Sequence, residues 1–105
     1  MSDTFPVGHS PAIRANSPLF PLGRIVATPA ILEHFEHHGV DLHTRIDRHR
    51  HGDWGNISAA DAEANEIAVR QGSRILSAYL VAGRKVWIIT EADRSATTVL
   101  FPSEY

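Results

Sequence analysis

The sequence predicts one small α+β domain in which two or three helices pack on a C-terminal three-stranded antiparallel meander, with room for an N-terminal edge strand. Three observations carry this. Residues 28–72 hold apolar residues at helical spacing between residues suited to start and stop helices. Beyond Gly72 the pattern changes to extended runs rich in β-branched and aromatic side chains. The segments between those runs are short, as between antiparallel neighbours, whereas parallel strands need long crossovers.

Residues 1–20 read as a proline-rich arm. Pro6, Pro11 and Pro18 stand among Gly8, Ser10, Asn16 and Ser17, a composition that sustains neither helix nor central strand, so the arm is expected to be flexible. Residues 21–105 then form the single domain. Residues 22–27 are a short apolar run interrupted by Gly23 and Arg24, which suits an edge strand. In "TPAILEHFEHHG" Thr28 caps a helix, Pro29 takes its first position and Gly39 the left-handed position past its end, with Ile31, Leu32 and Phe35 on the buried face. "VDLHTRIDRHRHG" predicts a second helix capped by Asp41, with Leu42 and Ile46 four apart, broken by Gly52 and Gly55. Ser58 with Asp61 resembles a capping box opening "SAADAEANEIAVRQG". Its narrow stripe of Ala60, Ala64, Ile67 and Ala68 suits close approach to a sheet. "RILSAYLV", "RKVWIITE" and "ATTVLFP" are the three strands, joined through "AGRK" and "ADRS". There is no internal repeat and no low-complexity tract.

A chain of 105 residues buries only about 60–65% of the surface its unfolded form exposes, so the core is modest. No apolar run approaches the ~18 residues of a membrane-spanning helix. The first residues lack a basic segment followed by a continuous apolar stretch, so no secretory signal is expected and a soluble, cytoplasmic protein is the default. Without cysteine there is no disulfide framework, thiolate metal site or thiol nucleophile. The net charge of −2 excludes nucleic-acid binding through overall positive charge but not through a local patch. Lys85 is the one lysine beside nine arginines, which favours two-point contacts to carboxylates and phosphates, although a GC-rich genome produces the same bias.

"GDWG" at 52–55, "AN" at 64–65, "SAY" at 77–79 and "WIITEADRSATTVLFPSEY" at 87–105 resemble a family of short proteins of plasmids and integrative elements, described as plasmid-related proteins. The resemblance covers roughly residues 20–105. It implies a mobile-element context and brings no activity, ligand or catalytic residue with it.

Six of the seven histidines fall between His34 and His51. Residues 33–53 carry −2 with neutral histidines and +4 with all six protonated, so the segment can change sign near the usual imidazole pKa, about 6.5. Solvent-facing helix residues explain the cluster equally well. His34 and His38, four apart, can face one way and His37 lies one turn from His34, but "HFEHH" is not the metalloprotease order, and no metal or other cofactor is expected. In "RHRHGDWG" Asp53 could orient an acid/base histidine, His51 above all. The same letters suit a tight turn in which Trp54 plugs the core and Asp53 bonds backbone amides, and this reading ranks first. "TEADRSATT" crowds Glu91, Asp93, Arg94, Ser95, Thr97 and Thr98 at a strand end, where binding residues are often held.

Two function classes follow. The first is a non-catalytic accessory or regulatory binding protein acting on a protein or nucleic-acid partner through Arg84, Lys85, Trp87, Asp93, Arg94 and Thr98. Residues 70–94 hold five basic residues against two acids, and bases could stack if Tyr79 and Trp87 share an exposed face. The alternative is a metal-independent ribonuclease, because helices followed by an antiparallel sheet look similar to the barnase, colicin and RelE-like enzymes. His51, Glu91 and Arg94 would then be base, acid and phosphate-stabilising cation, with Arg84 or Lys85 as alternative cations. This is a likeness of architecture, which does not set function.

Overall fold

A computed structural model describes residues 17–105. Most of the expected arm, residues 1–16, lies outside the described residues. The elements run β1 (Arg24–Ala27), α1 (Pro29–His37), α2 (Leu42–Arg50), α3 (Ala59–Gln71), β2 (Ile75–Val81), β3 (Arg84–Thr90) and β4 (Ala96–Leu100), followed by one 3-10 turn at Pro102–Glu104. Packing begins before residue 21. The Leu19 amide donates to the Arg50 carbonyl at 2.8 Å, and Phe20 is buried in the core.

The α+β class holds, with a difference in the sheet. It has four strands in the order β1-β4-β3-β2: β2, β3 and β4 pair antiparallel through consecutive hairpins, and β1 pairs parallel with β4. The sheet is therefore mixed, not a three-stranded meander alone. A four-residue strand far from its partner in sequence carries no turn that announces its pairing, whereas the two hairpins do.

Local chemistry accounts for the helix ends. The side chains of Thr28, Asp41 and Ser58 accept from the amides of Ile31, His43 and Asp61, and Gly72 ends α3 in the left-handed conformation. All three helices lie on one face of the sheet. There Ile31 and Phe35 of α1, Ile46 of α2 and Ala68 of α3 meet Ile75, Tyr79, Val81, Val86, Ile88 and Val99, with Phe20 and Trp54 filling the gap between layers.

Two predicted helix faces shift. Leu32 is 52% exposed, leaving Ile31 and Phe35 to anchor α1. On α3 the inward line is Ala62, Asn65 and Ala68, while Ala60, Ala64 and Ile67 face outward. Asn65 supplies the reason: its amide donates to the Leu76 carbonyl at 2.8 Å and accepts from the Leu76 amide at 3.2 Å. A polar side chain thus closes the outer edge of β2, satisfying backbone groups that an apolar residue would leave bare.

The β2–β3 loop is Ala82–Gly83, with φ of 48° and 82°. Positive φ at both positions is the pattern of a type I′ turn, in which alanine is strained and asparagine is favoured. Ala82→Asn is expected to stabilise the fold by roughly 0.5–1 kcal/mol, seen as a higher urea midpoint at unchanged slope.

Candidate functional site

"RHRHGDWG" forms a turn held by its own side chains. Gly52 and Gly55 take φ of 88° and 77°, Trp54 is buried with its Nε1–H donating to Glu66 at 3.0 Å, and Asp53 accepts from the Gly55 amide at 3.3 Å. Asp53 also receives Arg48 Nε at 2.5 Å, and its carbonyl accepts the Tyr79 hydroxyl at 2.5 Å. Arg48 lies over the Tyr79 ring, and burial pushes the phenol pKa well above its ordinary value. The carboxylate proposed to orient His51 is thus bonded to an arginine. His51 Nδ1–H donates instead to the Asp47 carbonyl at 2.7 Å, as part of the end of α2.

The histidine with the most unusual setting is His49, wholly buried among Ser77, Thr90 and Thr97, each also wholly buried. Thr97 donates to the Leu22 carbonyl at 2.7 Å, and a hydroxyl has one proton, so Thr90 must donate to Thr97 across 2.7 Å. Thr90 then accepts from His49 Nε2–H at 2.9 Å, which leaves Nδ1 bare to accept the Ser77 hydroxyl at 2.6 Å. The chain runs one way from Ser77 to Leu22 and fixes the tautomer. Burial, with the charge of Arg94 as a smaller cause, pushes the His49 pKa down to about 3. Ser77 and His49 have the separation of a nucleophile and its base, yet no substrate reaches either, and so acidic an imidazole makes a poor base at neutral pH. The network therefore ties α2 to three strands and stays neutral.

"TEADRSATT" becomes the β3–β4 turn with its flanking strand ends: Glu91, Asp93 and Ser95 are exposed, Arg94 is half-buried, and Thr90 and Thr97 are buried. Arg94 has φ of 61° and donates to the carbonyls of Ser73 at 2.6 Å, Ala68 at 2.8 Å and Glu91 at 3.1 Å, closing the end of α3 against the sheet. Asp93 accepts from the Ser95 amide at 3.0 Å, and hydrogen bonds to Ser95 hold its carboxyl below the ordinary range. Among the described residues no hydrogen bond links the side chains of His51, Glu91 and Arg94 to one another.

Register decides the aromatic question. Tyr79 opposes Val86 and Trp87 opposes Ala78, so Tyr79 faces the helices, almost fully buried, while Trp87 faces the side without helices. Tyr79 and Trp87 therefore share no face, and the condition for stacking bases between them is not met. Tyr105 takes the missing place: its ring meets Trp87 edge-on at 5.8 Å, and it carries Arg74 at 5.3 Å over its face. The open face also holds Val26, Thr98, Ile89 and Leu76 in a row across the strands, with Leu80 and Lys85 near the hairpin tip. The four strands contain no aspartate or glutamate. Arg24 and Lys85 occupy outward register positions and Arg74 flanks them, while the helices carry much of the negative charge.

Of the predicted binding residues, Lys85, Trp87 and Thr98 come together on this face, Arg84 lies on the other, and Asp93 and Arg94 are held in the turn. Tyr105 and Arg74 escaped prediction, because only the path of the chain after β4 brings them onto Trp87. Arg84 stacks its guanidinium 3.6 Å from the Phe101 ring centroid and borders a shallow depression of about 320 Å³ with Ala30, Glu33, His34 and His37 of α1. His38, one residue on, packs its ring 4.7 Å from that of His34 and lies below the usual imidazole range, by desolvation first and then by repulsion from His34 and His37.

Among the described residues no three His, Cys, Asp or Glu side chains are grouped to hold a metal ion, and no helix is long and apolar enough to cross a membrane. No protein-family model, curated protein or solved structure matches the chain.

Proposed function

We propose that the protein is a non-catalytic accessory binding protein that takes single-stranded nucleic acid on the open face of its sheet. The observation that carries this reading is the Trp87–Tyr105 pair set among Arg24, Arg74 and Lys85 on strands free of acidic residues. Aromatic rings stack on any base, and cations beside them track the phosphates, a combination suited to sequence-tolerant single-strand binding. An overall charge of −2 is no obstacle to a local patch, since Arg24 and Lys85 stand on the face of strands that carry no acid, while the helices carry both signs, Arg45, Arg48, Arg50 and Arg70 among many of the acids. The mobile-element setting rests on the resemblance carried by residues 52–55, 64–65, 77–79 and 87–105.

Fluorescence anisotropy with a labelled single-stranded oligonucleotide tests the reading. Trp87→Ala is expected to weaken binding by about 1–3 kcal/mol, the worth of one stacked base. Lys85→Ala should lower the slope of log affinity against log salt by about 0.7 if it meets one phosphate. A flat salt response, with Trp87→Ala matching the wild type, would sink the proposal. Incubation with RNA in EDTA reads the ribonuclease alternative in parallel. Cleavage abolished by His51→Ala would put that reading first.

A further inference from the structure

The geometry points to a second site on the other side of the β2–β3 hairpin: the depression between α1 and Arg84 takes a phosphate group, and in the setting proposed above this is the terminal phosphate of a bound strand. That second clause rests on the proposed function. Arg84 and Lys85 are consecutive, so strand alternation sends Lys85 to the open face and Arg84 to the helix face. Two cations thus straddle one hairpin, and a strand end leaving Trp87 past Lys85 meets Arg84 next.

The Arg84 side chain is placed as a receptor. Its guanidinium lies 3.6 Å from the ring centroid of Phe101, and Phe101 is itself 2% exposed and immobilised in the core. Stacking uses one face of the plane and leaves its N–H edges. Among the described residues those N–H groups meet no acceptor and no carboxylate within ion-pairing distance. A planar fork of this kind matches two phosphate oxygens.

His34 is oriented with equal care. Its Nε2–H donates to the Val81 carbonyl at 2.8 Å, and its ring stands edge-on to the same Phe101 at 5.4 Å. Val81 is the register partner of Arg84, so one strand pair positions both groups. Nδ1 is then the ring nitrogen left for a ligand, and His37 stands one turn along the same wall. Glu33 is the opposing charge. It disfavours a dianion but can accept the hydrogen bond of a singly protonated phosphate, so neutralising it should tighten anion binding by about two- to fivefold.

The full chain is tested in two arms. In the first, oligonucleotides of one sequence bearing a 5′-phosphate, a 3′-phosphate or hydroxyls at both ends are titrated by anisotropy. A phosphate at one end is expected to tighten binding by about tenfold, and Arg84→Gln should abolish that gain while leaving the hydroxyl-ended strand within about threefold. In the second, inorganic phosphate at millimolar concentration is followed through the His34 and His37 imidazole NMR signals, with acetate as control, in the wild type, Arg84→Gln and Glu33→Gln. Signals that move with phosphate and not with acetate, are still in Arg84→Gln and move at lower concentration in Glu33→Gln support the site. If only the oligonucleotide arm responds, the phosphate belongs to a strand end; if only the inorganic arm responds, to a free ligand. No response in either arm, or an equal response to acetate, overturns the site. Failure of the hydroxyl-ended strand to bind overturns the proposed function instead, leaving the phosphate arm to stand by itself. Retained NMR dispersion shows that each variant is folded.

Discussion

Acidification from pH 6.5 to 4.5 is expected to remove roughly 2 kcal/mol of stability through His49 alone, the slope steepening towards about 1.4 kcal/mol per pH unit below the unfolded pKa. The imidazole is neutral in the fold, with a pKa pushed down to about 3, and takes a proton in the unfolded chain near 6.5. Between those values the unfolded state binds the extra proton. Stability is therefore complete above about pH 6.5 and falls as pH is lowered towards 3. Charging His49 also breaks the one-way hydrogen-bond chain, since a proton on Nδ1 faces the Ser77 hydroxyl that donates to it. Urea midpoints across this window measure the slope, with His49→Gln as the reference that subtracts the carboxylates and the other histidines titrating in it. His49→Gln should lose stability at pH 7, because Ser77, Thr90 and Thr97 sit wholly buried around it, yet show a slope shallower by one proton. Parallel slopes for the two proteins would mean that His49 is not held neutral by the fold.

Gly55→Ala is expected to cost more than about 3 kcal/mol, leaving a domain of this size close to unfolding. Residues 54–56 lie beside β2 as a short extra edge: the Ala78 amide donates to the Trp54 carbonyl at 3.0 Å, and the Asn56 amide donates to the Ala78 carbonyl at 2.6 Å. A methyl group at Gly55 would collide with that Ala78 carbonyl and stand 2.6 Å from Tyr79 Cδ1. Neither neighbour can retreat, because one is strand backbone and the other is a buried ring bonded to Asp53. Gly39 is the control. It also has positive φ, but nothing lies within 4 Å of an added Cβ, so Gly39→Ala should cost only about 1 kcal/mol. Thermal unfolding of the two variants side by side separates collision from conformational cost; equal losses would show that backbone conformation is the whole effect.

Legibility differed by kind of feature. Helix starts were readable because a cap acts within three residues: Thr28, Asp41 and Ser58 each bond an amide two or three positions on. The turn reading of "RHRHGDWG" was available for the same reason, since Asp53 and the glycines act on their immediate neighbours. His49 was not separable from the five other histidines around it. Its Ser77 and Thr90 partners lie 28 and 41 residues away, and nothing in "RHRHG" marks which imidazole turns inward. Asn65 misled for a related reason, because a polar residue among alanines reads as solvent-facing until a strand edge needs its amide.

Composition and short-range chemistry by themselves determined the α+β class, the three helices with their ends, the three C-terminal strands and the local basic excess of residues 70–94, all of which act over a few residues. Only the tertiary structure decided that β1 runs parallel to β4, that Tyr79 is core while Trp87 meets Tyr105, that Arg84 and Lys85 part to opposite sides, and that Arg94 closes α3. Each of these depends on register or on contacts between distant segments. A shift of one residue in a strand exchanges its two faces without altering its composition, so which side chains share a surface is set by pairing and not by the residues of any one strand.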